Sequence, residues 1–473
     1  MLDNIDKPWS WVNFGWAVFL LIFPNVVLSL LAYVYGLERP WLNVDYALVM
    51  LIAVLGFRFL AGAVLSVVFF FDVLGLVGQV VPILRLTDVF YISSFIGMAP
   101  LSYQLVAVSL FLLLMFFMFI FLHKKNKLMK VEFLFCINLV VAGYLYSVFY
   151  SDVVARQVWS SNDRGLIASQ TVFGFNSRKT GFVDTLFAEG EIFGKVPVVG
   201  ATGSWFDNVS GADERILLVV SESWGVSDEN IQSAVLEPLF EAQNHLSDFE
   251  DGVVDFRGVT VEAEIRELCQ LDLLHFNFQG HKSEMSGCLP NKLVQQGYKT
   301  FAFHGAAGLM YDRVRWYPDL GFQESTFFET QSWPRRCYSF PGACDSDMAD
   351  YVRESFNVEG KVFSYWLTLN SHFSYDTRDI REEGLSCETL GIPGDSQTCR
   401  NLSLHFQFFQ DLAKLIGNPE MAGVRVVIVG DHEPPISDKD EKLRYFQKGK
   451  VPWLSFKILG KTQKYENMNA YLQ

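Results

Sequence analysis

Four apolar segments in the second half of the chain are each followed by a side chain that can bind a metal ion or a phosphate group. These side chains are Glu222, His304, His372 and the neighbouring pair Asp431 and His432. Short apolar runs of this kind predict buried strands. Because ligands of open α/β sheets bind beyond the carboxyl ends of the strands, we expect the four strand ends to form one site.

The carboxylates and the imidazole at two of these ends are typical metal ligands. Asp431 and His432 combine a hard and a borderline ligand, which suits Zn²⁺ or Mn²⁺, and Glu222 can add a second carboxylate. Taken alone, an acidic residue after a strand is commonly a turn residue or a helix cap. Their shared position at strand ends favours a metal site.

The best-placed nucleophile is the hydroxyl of Thr260. It follows Gly258 and Val259 and precedes a segment of helical composition, residues 261–269. A helix N-terminus stabilises anions, and a metal lowers the pKa of an alcohol that it coordinates. Thr260 could also serve as the helix cap, with a glutamate in the first turn, and the two roles are compatible.

The first 150 residues have the composition of a membrane domain. They hold seven acidic and eight basic residues among long apolar tracts, four of which approach or exceed the length of a bilayer-crossing helix. The four tracts are residues 12–35, 46–71, 102–122 and 131–150. A fifth, weaker candidate lies within residues 72–100 and is interrupted by Arg85 and Asp88. We therefore predict a transmembrane anchor of four or five helices over residues 1–150.

Positive charge predicts the orientation of the chain in the membrane. The basic cluster at residues 123–130 is expected to stay in the cytoplasm, so the last span exits and the rest of the chain lies outside. A cytoplasmic N-terminus requires five spans, and four spans would place it outside. Residues 151–214 are polar and predict a juxtamembrane connector, followed by one large domain over residues 215–473.

Charge and cysteine content agree with export of this domain. After Tyr150 there are 45 acidic and 30 basic residues, a formal charge of -15, so we do not expect nucleic acid as a partner. Cys136 lies in an apolar tract, and the other six of the seven cysteines follow Tyr150 as close pairs that an oxidising compartment would join. Neighbour pairing predicts the disulfides Cys269–Cys288, Cys337–Cys344 and Cys387–Cys399. Buried free thiols are the alternative, and no pair has the spacing of a zinc knuckle.

Five short segments resemble, in the same order, the signature segments of membrane-anchored phosphoglycerol and phosphoethanolamine transferases. This family includes the lipoteichoic acid synthases and belongs to the alkaline phosphatase/sulfatase superfamily. The resemblance covers about residues 210 to 460 and extends to the multi-span anchor. The segments are Ser221-Glu-Ser-Trp224, Gly258-Val-Thr260, Gly297 to Gly305, Asn370-Ser-His372 and Gly430-Asp-His432.

The resemblance implies a sulfatase-like α/β domain with a central, mostly parallel sheet and one divalent metal ion, Mn²⁺ or Zn²⁺. The implied metal ligands are Glu222, Thr260, Asp431 and His432. The implied substrate-binding residues are His304, Arg313 and His372. Thr260 would also be the nucleophile, and it would become phosphorylated during the reaction.

The implied reaction moves a phosphoglycerol or phosphoethanolamine headgroup from a membrane phospholipid, through a phosphothreonine, to an envelope glycan. The implied location is the bacterial inner (cytoplasmic) membrane, in which the multi-pass chain holds its catalytic domain on the periplasmic or extracytoplasmic side. The segments after Thr260 and His432 depart from the pattern of relatives, which leaves the headgroup and the acceptor open. The sequence does not predict the oligomeric state.

Two other classes of function remain as alternatives. One is a metal-dependent hydrolase of phosphate or sulfate esters on the same scaffold, and the other is a non-catalytic relative that binds glycan or lipid. A sulfatase needs a Cys or Ser that is modified to formylglycine in a Cys-x-Pro-x-Arg setting. The nearest string, Cys288-Leu-Pro-Asn-Lys292, lacks the arginine.

Overall fold

The computed structural model describes most of the large domain and parts of the N-terminal region. The described residues are 9–34, 37, 39–80, 101–123, 130–150, 167–172, 188–207, 213–373, 375–381, 384–436 and 438–459. The chain forms two compact units, Met1–Asp184 and Thr185–Gln473. This boundary lies inside the segment that we predicted as a connector, so the later part of that segment belongs to the second unit.

The first unit is built from long apolar helices. They are α1 (Trp11–Val34), α2 (Asp45–Val54), α3 (Arg58–Val80), α4 (Leu101–His123) and α5 (Lys130–Tyr150). A short parallel pair joins β1 (Leu42–Asn43) to β2 (Ile167–Ala168).

The span predicted over residues 46–71 is divided in the structure. α2 ends at Val54 and α3 begins at Arg58, and Gly56 between them has a φ of +95°, which glycine adopts without steric strain. α3 then continues past Asp72, into the stretch where a weaker fifth span was predicted. Residues 81–100 of that stretch lie outside the described residues.

Two helices are long and apolar enough to cross a bilayer, Trp11–Val34 and Arg58–Val77. Shorter apolar helices cover Asp45–Val54, Gln104–Ile120 and Val131–Tyr146. This result rests on the length and composition of the part of the chain that the structure describes. The further spans of the anchor stay predictions.

A buried ion pair lies among the apolar residues of the first unit. Arg39 donates to both carboxylate oxygens of Asp72, at 2.9 and 2.8 Å. Asn43 and Tyr46 also donate to Asp72, at 3.1 and 3.0 Å, and Asn25 accepts from Arg39 at 2.8 Å. Removing one partner of a buried pair leaves an uncompensated charge, so this network ties α1, α2 and α3 to one another.

The second unit is built around a seven-stranded sheet. Its strands are β4 (Arg215–Ser221), β5 (Leu246–Asp255), β7 (Lys299–His304), β8 (Glu324–Thr326), β9 (Val362–Leu367), β10 (Arg425–Gly430) and β11 (Lys450–Ile458). The order is β5-β11-β10-β4-β9-β7-β8; β10, β4, β9, β7 and β8 run parallel, and β11 and β5 pair antiparallel at one edge. The predicted central, mostly parallel sheet is confirmed as a mixed sheet.

A second, two-stranded sheet pairs β3 (Phe193–Pro197) with β6 (Leu271–Leu273). The helices of this unit are α6 (Gly203–Asp207), α7 (Glu229–Glu241), α8 (Thr260–Cys269), α9 (Leu289–Gln295), α10 (Arg313–Leu320), α11 (Asp345–Ser355), α12 (Gln397–Ile416) and α13 (Lys439–Tyr445). Every residue of β9 is buried, as are all residues of β4 and β10 after the first. Parallel strands buried on both faces are typical of sheets covered by helices.

The structure joins the three cysteine pairs that we predicted in the second unit. Cys269–Cys288 links the end of α8 to the start of α9. The other two disulfides are Cys337–Cys344 and Cys387–Cys399. Cys136 in the first unit is a free, buried thiol.

Thiol labelling of the denatured, non-reduced protein should modify Cys136 alone. The disulfides close segments of 19, 7 and 12 residues, and each such closure stabilises a domain by about 2 to 4 kcal/mol in the chain-entropy description. The same labelling after reduction provides the control and should modify all seven cysteines. Seven labelled thiols without reduction would contradict both the disulfides and export of the domain.

Candidate active site

The four strand ends singled out from the sequence meet at one edge of the sheet. In the register of the parallel strands, Gly430 on β10 lies beside Ser221 on β4. Leu367 on β9 lies beside both Val220 on β4 and His304 on β7. The carboxyl ends of four neighbouring strands are therefore level with one another, and the residues that follow them share this edge.

Three of the predicted metal ligands converge there. Ligand atoms of Glu222, Asp431 and His432 all lie within 4.8 Å of one another. His432 Nε2 is 3.3 Å from Asp431 Oδ2 and 3.5 Å from Glu222 Oε1. Both carboxylates are buried, whereas the imidazole keeps 14% of its surface exposed, so the cluster opens to solvent on the side of His432.

Thr260 lies beside this cluster as the first residue of α8. Its Oγ1 donates a hydrogen bond to Glu222 Oε2 at 3.3 Å. Val259 occupies the N-cap position, and its N–H donates to the carboxylate of Glu262 at 2.9 Å. Gly258, with a φ of +75°, leaves room for that carboxylate, because an added Cβ would lie 2.3 Å from Glu262 Cδ. Glu262 therefore caps the helix, and the hydroxyl of Thr260 faces the cluster.

The cluster has the properties of a cation site. Asp431 Oδ2 is buried and has no hydrogen-bond donor among the described residues. Burial and repulsion by the neighbouring charge of Glu222 raise the pKa of Asp431 to about 7. A cation between the two carboxylates would offset both effects. Two carboxylates, an imidazole and a hydroxyl are ligand types that Mn²⁺ and Zn²⁺ accept. The residues that would hold one such ion are Glu222, Thr260, Asp431 and His432.

The two predicted substrate-binding histidines are uncharged. Burial lowers the pKa of His372 to about 4 and that of His304 well below its ordinary value. His304 Nδ1 is 3.1 Å from the carbonyl oxygen of Leu367, and His372 Nδ1 contacts the carbonyl oxygen of Phe373. Because a carbonyl oxygen only accepts, each Nδ1 carries the proton and each Nε2 is an acceptor.

Arg313 forms a buried ion pair with Glu264. Its Nη2 is 2.7 Å from Glu264 Oε2, and the hydroxyls of Tyr317 and Tyr365 also donate to this carboxylate. Arg313 is 1% exposed, and its charge adds to the effect of burial in lowering the pKa of His304. The structure thus directs the guanidinium at Glu264, and the contact of Arg313 with substrate stays a prediction.

Three further residues lie beside the site: Ser223, which the sequence offered only as an alternative nucleophile, and Glu264 and Arg266, which it did not single out. Ser223 follows Glu222 and donates to both carboxylates of the cluster. Glu264 and Arg266 lie on α8, and Arg266 Nη2 donates to the carbonyl oxygen of Gly430 at 2.7 Å. Both are charged residues on the buried side of the helix that begins with Thr260. A charged residue at a buried helical position is the one signal in the sequence that could have indicated Glu264 and Arg266.

Comparisons with known proteins identify the family of the second unit. The model of the sulfatase family matches residues 214–458. No curated protein matches the chain. The fold is similar to that of the lipoteichoic acid synthase LtaP from Listeria monocytogenes, with 16% identity, a TM-score of 0.42, and 56% of this chain and 69% of that chain covered.

Two further solved structures have a similar fold. The C-terminal periplasmic domain of EcEptC from Escherichia coli, in complex with Zn, is 16% identical with a TM-score of 0.37, over 54% of this chain and 76% of that chain. The phosphoglycerol transferase GacH from Streptococcus pyogenes, in complex with sn-glycerol-1-phosphate, is 15% identical with a TM-score of 0.35, over 53% of this chain and 72% of that chain.

The region matched by the family model makes up just over half of the chain. It contains the seven-stranded sheet and the cluster of Glu222, Asp431 and His432. The predicted membership of the alkaline phosphatase/sulfatase superfamily is confirmed, and this chain belongs to the sulfatase family.

Proposed function

We propose that this protein transfers a phosphoglycerol or phosphoethanolamine headgroup from a membrane phospholipid to an envelope glycan, with the help of one divalent metal ion. One observation carries this proposal. The hydroxyl of Thr260 lies at the first residue of a helix, 3.3 Å from the Glu222 carboxylate and beside the cluster of metal ligands. A nucleophile, a cation site and a helix N-terminus in one place are the components that phosphoryl transfer needs.

Thr260 is the nucleophile in this function. Its hydroxyl proton is directed at Glu222 Oε2, and the N-terminus of α8 stabilises negative charge on an approaching phosphoryl group. A divalent ion held by Glu222, Thr260, Asp431 and His432 would supply Lewis acidity, lowering the pKa of the alcohol and neutralising phosphoryl oxygens.

The reaction proceeds in two displacements at phosphorus. In the first, Thr260 Oγ1 attacks the phosphodiester of the lipid, and an Oγ1–phosphorus bond forms while the bond from phosphorus to the diacylglycerol oxygen breaks. The hydroxyl proton of Thr260 ends on that oxygen, and diacylglycerol leaves. In the second, a glycan hydroxyl attacks the same phosphorus, the Oγ1–phosphorus bond breaks, and Thr260 regains a proton.

In this scheme His304 and His372 bind the headgroup and not its phosphate, because a neutral Nε2 that only accepts cannot donate a hydrogen bond to a phosphate oxygen. Their Nε2 atoms are acceptors, because the Nδ1 atoms donate to backbone carbonyls. Acceptors of this kind suit a group that carries protons, such as a glycerol hydroxyl or an ethanolamine ammonium. Both headgroups therefore remain candidates.

Hydrolysis of a phosphate or sulfate ester is the second candidate function, since water could replace the glycan hydroxyl in the second displacement. A formylglycine-dependent sulfatase is disfavoured by the disulfide that joins Cys288 to Cys269. Cys288 is the cysteine of the string nearest to that motif, and the nucleophile position holds a threonine. A non-catalytic binding function is disfavoured because all four expected metal ligands are present.

The first unit supports a catalytic domain outside the cytoplasm. The N–H of Ser10 donates to Glu132 at 2.6 Å, and the ring centroids of Trp9 and Phe135 are 5.7 Å apart, so α1 and α5 begin at the same level. α5 follows the basic cluster at residues 123–130, which positive charge assigns to the cytoplasm. A cytoplasmic N-terminus favours the five-span alternative and a catalytic unit on the extracytoplasmic side of a bacterial inner membrane.

Headgroup transfer by the full-length protein in phospholipid vesicles tests this function. Vesicles would carry phosphatidylglycerol or phosphatidylethanolamine with a labelled headgroup, and an envelope glycan would be added with Mn²⁺ or Zn²⁺. We expect release of diacylglycerol with matching label on the glycan, and loss of both with a chelator. Release of the label only as a free, water-soluble headgroup phosphate, at a rate that the glycan does not change, would favour hydrolysis. No diacylglycerol release with either lipid would contradict the proposed reaction.

A further inference from the structure

Ser223 is hydrogen-bonded to both carboxylates of the cluster at the same time. Its backbone N–H donates to Asp431 Oδ1 at 2.7 Å, and its hydroxyl donates to Glu222 Oε1 at 2.9 Å. Ser223 is fully buried, so water does not compete for these bonds. One residue therefore fixes one oxygen of each carboxylate.

The backbone of Ser223 adopts a conformation that is rare for serine. Its φ is +56°, in the left-handed region that favours glycine. The carbonyl oxygen of Ser223 accepts hydrogen bonds from Asn401 Nδ2 at 3.1 Å and from His405 Nε2 at 3.0 Å, both on α12. Burial lowers the pKa of His405 to about 4, so its ring is neutral and donates only through the nitrogen that faces this carbonyl. Unfavourable backbone conformations that neighbouring residues hold in place are concentrated at functional sites.

The oxygens that Ser223 does not hold also lie in the cluster, as does Glu222 Oε1, which is 3.5 Å from His432 Nε2. Glu222 Oε2 accepts from the nucleophile Thr260, and Asp431 Oδ2 lies 3.3 Å from His432 Nε2 without a hydrogen-bond donor among the described residues. A carboxylate has two oxygens that can exchange places by rotation, and a fixed donor on one of them stops this exchange. Groups that orient metal ligands in this way tune the affinity of the site.

We infer that Ser223 is a positioning residue that fixes the orientation of the Glu222 and Asp431 carboxylates for metal binding, with Glu222 Oε2 and Asp431 Oδ2 as the oxygens that it leaves available to the ion. This inference rests on the metal site of the proposed function. α12 takes part at a distance, because Asn401 and His405 hold the carbonyl of Ser223.

Metal affinity of the full-length protein tests the inference without a need for activity. Mn²⁺ and Zn²⁺ would each be titrated into the metal-free protein in competition with a fluorescent chelator. Ser223→Ala and Ser223→Gly should each raise the dissociation constant roughly 10- to 100-fold, since both remove the hydroxyl that holds Glu222 Oε1. Ser223→Gly also guards against misfolding, because glycine adopts a positive φ without strain.

Ser221→Ala provides the matched control. Ser221 lies on the other side of Glu222, is equally buried, and its hydroxyl has no hydrogen-bond partner in the described part of the chain. Its removal should leave the dissociation constant unchanged. Equal metal affinity in the parent and in both Ser223 variants would overturn the inference and leave the metal site intact. A parent that binds neither ion would overturn the metal site and the inference together.

Discussion

Thr260→Ala is expected to abolish headgroup transfer while the protein remains folded. The variant loses the oxygen that forms the bond to phosphorus, so the rate should fall by at least roughly 10³-fold. The cost in folding free energy should be small, about 1 kcal/mol, because Glu262 and not Thr260 caps α8 and only one side-chain hydrogen bond is lost. Transfer rates in vesicles and the thermal unfolding midpoint check the two parts of this result.

Two variants accompany this measurement. Thr260→Ser keeps a hydroxyl at the same backbone position and should retain activity. Thr389→Ala, in the exposed short turn Glu388–Leu390, makes the same chemical change away from the cluster residues and should transfer at the parental rate. If Thr260→Ala unfolds at the parental temperature and still transfers the headgroup at the parental rate, the nucleophile is another residue.

Asp431→Asn should remove the metal ion and leave the metal-free protein at least as stable as the parent. Asn retains the oxygen that accepts from the N–H groups of Ser223 and His432, at 2.7 and 2.6 Å in the parent. It removes the negative charge that Glu222 repels, which is the repulsion that contributes to raising the pKa of Asp431 to about 7. Elemental analysis should find about one metal ion per chain in the parent and much less in the variant, and unfolding in the presence of a chelator reports stability.

The opposite pattern would identify Asp431 as a structural residue. Metal content equal to that of the parent, combined with a lower unfolding temperature in chelator, would remove Asp431 from the metal site. Asp255→Asn is the matched control, since Asp255 is an exposed acid at the end of β5. This control should change neither the metal content nor the stability in chelator.

The sheet and the edge that carries the site could be predicted because their signals are local. Parallel strands that are buried on both faces are unbroken apolar runs, as in β9 and β10, and can be found without knowing their neighbours. A general rule about ligand position then assigns the residues after them to one edge. Glu222, His304 and Asp431 were found in this way.

The contacts that orient the site could not be predicted, because they join residues distant in the sequence. Arg313 is paired with Glu264, which lies 49 positions earlier, and no local sequence pattern predicts this ion pair. The left-handed backbone of Ser223 depends on Asn401 and His405, which are 178 and 182 positions away. Backbone conformation and side-chain pairing of this kind emerge only when the whole sheet and α12 are assembled.

The membrane region shows a different limit. Hydropathy reports the composition of a tract, so residues 46–71 were predicted as one helix although a single glycine, Gly56, interrupts it. The same method treats Arg39 and Asp72 as interruptions, because it cannot recognise that they neutralise each other in a buried ion pair.

The covalent state of Thr260 during turnover tests the central claim most directly. Full-length protein would be incubated with phosphatidylglycerol or phosphatidylethanolamine vesicles and metal but without glycan, quenched, digested and studied by peptide mass spectrometry. We predict a peptide in which Thr260 carries phosphoglycerol or phosphoethanolamine, and loss of this modification when the glycan is added before quenching. An unmodified Thr260 under conditions in which the same preparation transfers headgroup, or the modification on another residue, would contradict the proposed mechanism.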